Sequence, residues 1–168
     1  FDNWLKSLKQ DKLNFNYTLW CAIYKSDFIK SNNIECPVGV ITSQDTVFVI
    51  QTSVLANKIE IVSDTYYRYI RIEESLSSRY LSNEKIESKI KAAYLILDFL
   101  NSANISPTDY VKAWYPMFRF ISFAAIERTT NKQSQQRLSK VAIDLYNKSK
   151  HKNLLNKNLG DFAGFFIC

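Results

Sequence analysis

With 168 residues, 46% hydrophobic and 14% aromatic, and only three Gly and three Pro, the chain is long enough to bury a core, and its composition excludes a disordered or fibrous protein. No apolar run reaches the roughly 18 to 20 residues of a membrane-spanning helix, and no signal-peptide pattern starts the chain. The net charge of +6 is uneven: Arg128, Lys132, Arg137, Lys140, Lys148, Lys150, Lys152 and Lys157 face one acid, Asp144, between Arg128 and Asn158, which leaves about −1 elsewhere.

The three cysteines, Cys21, Cys36 and Cys168, are spaced neither as a disulfide framework nor as a C-x-x-C zinc site, so they read as buried or incidental thiols of a reducing compartment. The single histidine, His151, has no second histidine with which to share a metal. Ser/His and Cys/His catalytic pairs are thereby removed, and proton transfer falls to carboxylates, Lys or Tyr. The chain opens at Phe1 and its only methionine is Met117, which reads as a piece of a longer protein.

In chain order, Asn16 to Tyr24 is rich in aromatic and β-branched residues and predicts a strand. Lys25 to Asn32 predicts a short helical turn capped by Ser26, and Cys36-Pro37-Val38-Gly39 a loop. Val47, Phe48, Ile50, Gln51, Val54 and Leu55 fall near helical spacing, with Thr42 and Asp45 as an N-cap and N3 pair. Ile59 to Val62 and Thr65 to Ile72 predict strands joined by a turn at Ser63-Asp64.

From residue 81 onward the pattern is helix after helix. Ser82 or Asn83 caps a helix with Glu84 and Glu87 in its first turn and Ile86, Ile90, Ala93, Tyr94 and Leu97 along one face. Asn104 and Pro107 end it, and Ser106-Pro107-Thr108-Asp109 restarts with a cap, a proline at the first helical position and an acid at N3. Pro116 is expected to kink or divide the helix that follows. Leu138, Val141, Ala142 and Leu145 make a third apolar stripe, opposite Arg137, Lys140, Asp144 and Lys148. The apolar end, Phe162 to Ile167, either lies at a membrane surface or packs on the core.

Five pieces in order, Trp20-Cys21-Ala22-Ile23-Tyr24, Asp27 to Ile34, Gln44-Asp45-Thr46-Val47-Phe48, Ala56 to Ile59 and Tyr66 to Ser77, together resemble the second half of the catalytic domain of family 2 glycosyltransferases. The resemblance covers about a third of the chain. It implies an α/β fold, with residues 1–80 the acceptor-side part of a GT-A nucleotide-sugar transferase domain and 81–168 a mainly α-helical region with a basic surface. It implies an inverting transferase of surface polysaccharide or glycolipid synthesis, cytoplasmic and peripheral at the inner face of the cell membrane. Asp45 matches the general base of the family, and Gln44 stands where the family carries an acid. Trp20 and Tyr24 are candidates for stacking on a sugar ring or for the core, and Arg68 and Arg71 for pairing with a diphosphate or for an exposed strand.

The expected partners are a nucleotide-sugar, a glycan or glycolipid acceptor and an anionic membrane surface, with no nucleic acid. A divalent cation, Mg or Mn, is expected in the intact enzyme but not on this segment alone, since no two acids stand two apart to form the Asp-x-Asp motif of the family. Without its nucleotide-binding half the segment is expected to be inactive. The alternative is a basic nucleic-acid-binding or helical protein-interaction module, for which the basic C-terminal segment speaks.

Overall fold

The computed structural model describes residues 19, 22–60, 82–124 and 131–158. Among them lie six α-helices: α1 (Ser26–Ser31), α2 (Gln44–Leu55), α3 (Asn83–Ser102), α4 (Pro107–Arg119), α5 (Lys132–Lys148) and α6 (Lys152–Asn158), with a π-helical segment, Phe120–Ala124, continuing α4. No strand occurs among the described residues, and this overturns the α/β, GT-A expectation. The glycosyltransferase resemblance falls with it, because a nucleotide-sugar fold of that type is built on a sheet.

α2 is the helix that the spacing of its apolar residues predicts. Val47, Val49 and Ile50 are β-branched, yet helical spacing lets all three bury together, and packing of that kind overrides a weak strand preference. Of the expected strand Asn16 to Tyr24, the described residues are Leu19, in a 3₁₀ turn, and 22–24, which are irregular. Ile59 and Glu60 are irregular as well, and Glu60 is held in an exposed ion pair with Lys58 at 2.5 Å. The expected strand Thr65 to Ile72 and the turn before it lie outside the described residues, as does the apolar end Phe162 to Ile167.

The chain divides into two compact units, Phe1–Ala92 and Ala93–Cys168. In the first, Ile34, Val40, Val47, Val49, Ile50, Ile86 and Ile90 form the core. The first part of α3 stitches down the loop before α2. Ser88 Oγ accepts from the Thr42 N–H at 2.9 Å and donates to the Thr42 carbonyl at 3.0 Å, while Lys91 Nζ donates to the Val38 carbonyl at 2.8 Å. Gly39 turns this loop at φ +72°, where a side chain is strained and a Cβ would lie 2.9 Å from Lys91 Nζ.

Two caps differ from expectation. The N-cap of α2 is Ser43, left-handed at φ 69°, and not Thr42; its hydroxyl accepts from Lys89 Nζ at 3.0 Å instead of capping. Asp45 therefore sits in the first turn at the second helical position. The N-cap of α1 is Lys25, with no side-chain cap, and Ser26 opens the helix itself.

In the second unit, α4 packs against α5, α6 and the π-helical segment. Ser106 caps α4 as the sequence dictates, accepting from the Asp109 N–H at 3.1 Å and donating to Asp109 Oδ2 at 2.8 Å, with Pro107 at the first position. Pro116 does not divide the helix. Buried Trp114, Met117 and Phe118 surround it in sequence, and their packing carries α4 on to Arg119, where the turns widen into the π-helical segment.

Candidate functional site

The basic segment becomes a defined surface in α5 and the turn into α6. Asn131 caps α5, its Oδ1 accepting from the Gln133 and Ser134 N–H groups at 2.9 and 3.2 Å, and Lys148 in the last turn suits the dipole. Leu138, Ala142 and Leu145 are buried along one face. Opposite them, at helical spacing, lie Lys132, Gln136, Lys140, Ile143 and Asn147, all exposed. Arg137 and Lys148 are exposed beside this stripe, and Lys150 and Lys152 are exposed at the turn into α6. Six basic side chains thus meet solvent within 131–155, against the single acid Asp144.

That acid is already engaged. Asp144 Oδ2 accepts from the Tyr94 hydroxyl at 2.5 Å and pairs with Lys148 Nζ at 2.8 Å, and the same ammonium lies 5.1 Å from the centre of the Tyr94 ring. Lys148 and then Tyr94 hold the Asp144 carboxyl below its usual range. Partial burial and then Asp144 push the Tyr94 phenol up to about 12. The signs are opposite at the two ends of the pH scale. The contribution of Asp144 is present above the ordinary carboxylate range and lost as pH falls through its lowered value. That of Tyr94 is lost as pH rises from 10.0 towards about 12, where only the unfolded chain has released the proton. The difference in alkaline phenolate absorbance between the wild type and Tyr94→Phe is expected to titrate near 12, and Asp144→Asn should move that midpoint part of the way down. A wild-type midpoint near 10 would place the hydroxyl in water and remove the bond.

The turn after α5 is fixed by a polar knot. Asn101 Oδ1 accepts from the Tyr110 hydroxyl at 2.7 Å and the Lys150 N–H at 3.1 Å, and Asn101 Nδ2 donates to the Lys148 carbonyl at 3.0 Å. The buried Trp114 indole donates to Ser149 Oγ at 3.0 Å, and that hydroxyl donates to the Leu145 carbonyl at 2.7 Å. His151 rests edge-on against the Tyr110 ring at 5.0 Å. Lys150 and Lys152 are therefore presented from a held turn and not from a loose tail.

Of the residues expected to form a transferase site, Asp45, Gln44 and Tyr24 are described. Asp45 and Gln44 are half-buried at the start of α2, and Tyr24 packs edge-on against Phe48 at 5.2 Å. The exposed thiol of Cys36 is pushed up by partial burial and by the Asp45 carboxylate, which favours its protonated form. Trp20, Arg68 and Arg71 lie outside the described residues.

No group of three His, Cys, Asp or Glu side chains that could hold a metal occurs among the described residues, and with no strand among them the Mg or Mn expected of an intact enzyme is corrected together with the fold. The enzyme reading, in which Asp45 acts as a base on a nucleotide-sugar and its acceptor, goes for the same reason, and the partner list drawn from it goes too. Among the described residues no helix is long and apolar enough to cross a membrane.

Sequence reading named the polar side of α5 but passed over Ile143, which falls out of phase with Leu138, Ala142 and Leu145. It also missed the knot at Asn101, whose partners lie far along the chain. No family model, curated protein or solved structure matches the chain.

Proposed function

We propose that the chain is a helical interaction module that binds a negatively charged partner through the outer face of α5 and the Lys150–Lys152 turn. One observation carries this reading. Lys132, Lys140, Lys150 and Lys152 are exposed together, none is held by a carboxylate among the described residues, and Asp144, the single acid within residues 131–155, is engaged by Tyr94 and Lys148. A surface of this kind speeds association and selects partners by charge more than it stabilises the fold. The free thiol of Cys36 is in keeping with a reducing compartment, and a cytoplasmic setting belongs to the same proposal.

The test is binding of a fluorescent poly-glutamate probe at several salt concentrations. Affinity should fall as salt rises, and the triple variant Lys140→Glu, Lys150→Glu, Lys152→Glu should bind at least about tenfold more weakly with an unchanged circular dichroism spectrum. Binding that survives the triple reversal would remove this face from the function.

A further inference from the structure

The outer face of α5 carries one side chain that its charge does not explain. Ile143 is 51% exposed, in the middle of the stripe opposite the buried face of its own helix. A lone exposed aliphatic residue is ordinary on a protein surface, so position decides what weight it carries. One turn before it stands Lys140 and one turn after it Asn147. Three residues on, Tyr146 is half-buried, its ring 6.4 Å from that of buried Phe118. Ile143 and Tyr146 thus form a small apolar strip, one end backed by the core and both ends bordered by polar or basic groups.

The spacing adds a second constraint. Lys132, Gln136, Lys140, Ile143 and Asn147 follow one another in steps of three and four within α5, the spacing with which one helix lays a seam against another. All five are exposed, all but Ile143 are polar, and two are cationic. A second copy of this chain would bring no acid to the seam, so its lysines would stay unanswered. A helix with acids opposite Lys132 and Lys140 and an aliphatic residue opposite Ile143 would satisfy the charged and apolar positions, because apolar contact at the centre and charge at the rim is how protein interfaces divide their energy. A nucleic-acid backbone answers the lysines but offers phosphate where Ile143 asks for an apolar contact.

We propose that the partner is an acidic amphipathic helix of another protein, lying along α5 with an aliphatic residue seated on Ile143 and Tyr146. The inference rests on the reading of this face as the binding surface. Asp144, next to Ile143 in sequence, does not oppose it. Its carboxylate is directed to Tyr94 and Lys148, so the acid charge is neutralised within the module.

Three fluorescent probes test it against the full chain by anisotropy: a helical peptide with a leucine row flanked by glutamates, the same peptide with glutamines replacing the leucines, and a short DNA duplex. The leucine peptide is expected to bind about tenfold more tightly than the glutamine peptide, and Ile143→Gln should abolish that preference while leaving the weaker charge-driven binding in place. The substitution is at an exposed site, and a matched circular dichroism spectrum shows that the fold is kept. Equal binding of the two peptides, a preference that survives Ile143→Gln, or tighter binding of the duplex than of either peptide would overturn the acidic helix as partner and leave the basic face standing. Failure of all three probes to bind would overturn both.

Discussion

Trp114→Ala is expected to cost about 3–5 kcal/mol of unfolding free energy, the largest effect of any single substitution discussed for this chain. Trp114 has no exposed surface, lies 6.0 Å from the Phe118 ring and is among the largest side chains of the core. Alanine would leave a cavity that neighbouring helical backbones cannot close, and would also take the indole N–H from Ser149 Oγ. Trp114→Phe separates the two losses. It keeps most of the packing and removes the hydrogen bond, for about 1–2 kcal/mol. Urea unfolding followed by far-ultraviolet circular dichroism measures both, and an alanine variant within about 1 kcal/mol of wild type would mean that α4 does not centre its unit as described.

Asn101→Ala should be the next most damaging change, at about 2–3 kcal/mol, because one side chain holds three groups that have no equivalent replacement. The Tyr110 hydroxyl would lose its acceptor in a site where burial already pushes its phenol up, against the opposing effect of the Lys150 N–H. The Lys150 N–H would keep only the Tyr110 oxygen, at 3.2 Å, and the Lys148 carbonyl would lose the Asn101 amide. Loosening should concentrate at the turn between α5 and α6. Hydrogen exchange at the Lys150 amide is therefore expected to rise more than at Leu138 or Ala142 in the middle of α5. Uniform acceleration throughout the unit would show that Asn101 supports global stability and not the local geometry of the turn.

Features written within a few residues were readable from the sequence. Ser106, Pro107 and Asp109 specify the start of α4 by themselves, since cap, proline and acid act on neighbouring N–H groups. The faces of α3 and α5 followed from spacing: Ile86, Ile90, Ala93 and Leu97, and then Leu138, Ala142 and Leu145, are buried, while Tyr94 and Val141 of the same stripes are half-buried. What depends on distant residues was not readable. Ser43 looks like an ordinary linker residue until Lys89, 46 positions on, takes its hydroxyl, and Thr42 could not cap α2 once its backbone was committed to Ser88.

The fold class was misread for a different reason. Aromatic and β-branched runs, set in an order that resembles a transferase, weighed as strands, whereas α2, equally rich in β-branched residues, was legible as a helix because its spacing was read before its residue types. Of the surface, the charge of α5 was evident from composition. The importance of Ile143 was not, because an aliphatic residue announces its environment only when the phase of the buried stripe is known.

The lysines of this chain fall into two populations with different tolerance to exchange. Lys89 and Lys91 are directional donors, each aimed at one oxygen of the loop before α2, and the ammonium of Lys91 fits beside Gly39. Arginine carries the same charge there, but its planar head is broader and reaches differently, so the loop would have to move. Lys132, Lys140 and Lys152 serve as charge on a surface, where either residue type does the same work. Drift between lysine and arginine should therefore be free at Lys132, Lys140 and Lys152 and restricted at Lys89 and Lys91, which separates amines that hold the fold from amines on the face proposed for binding.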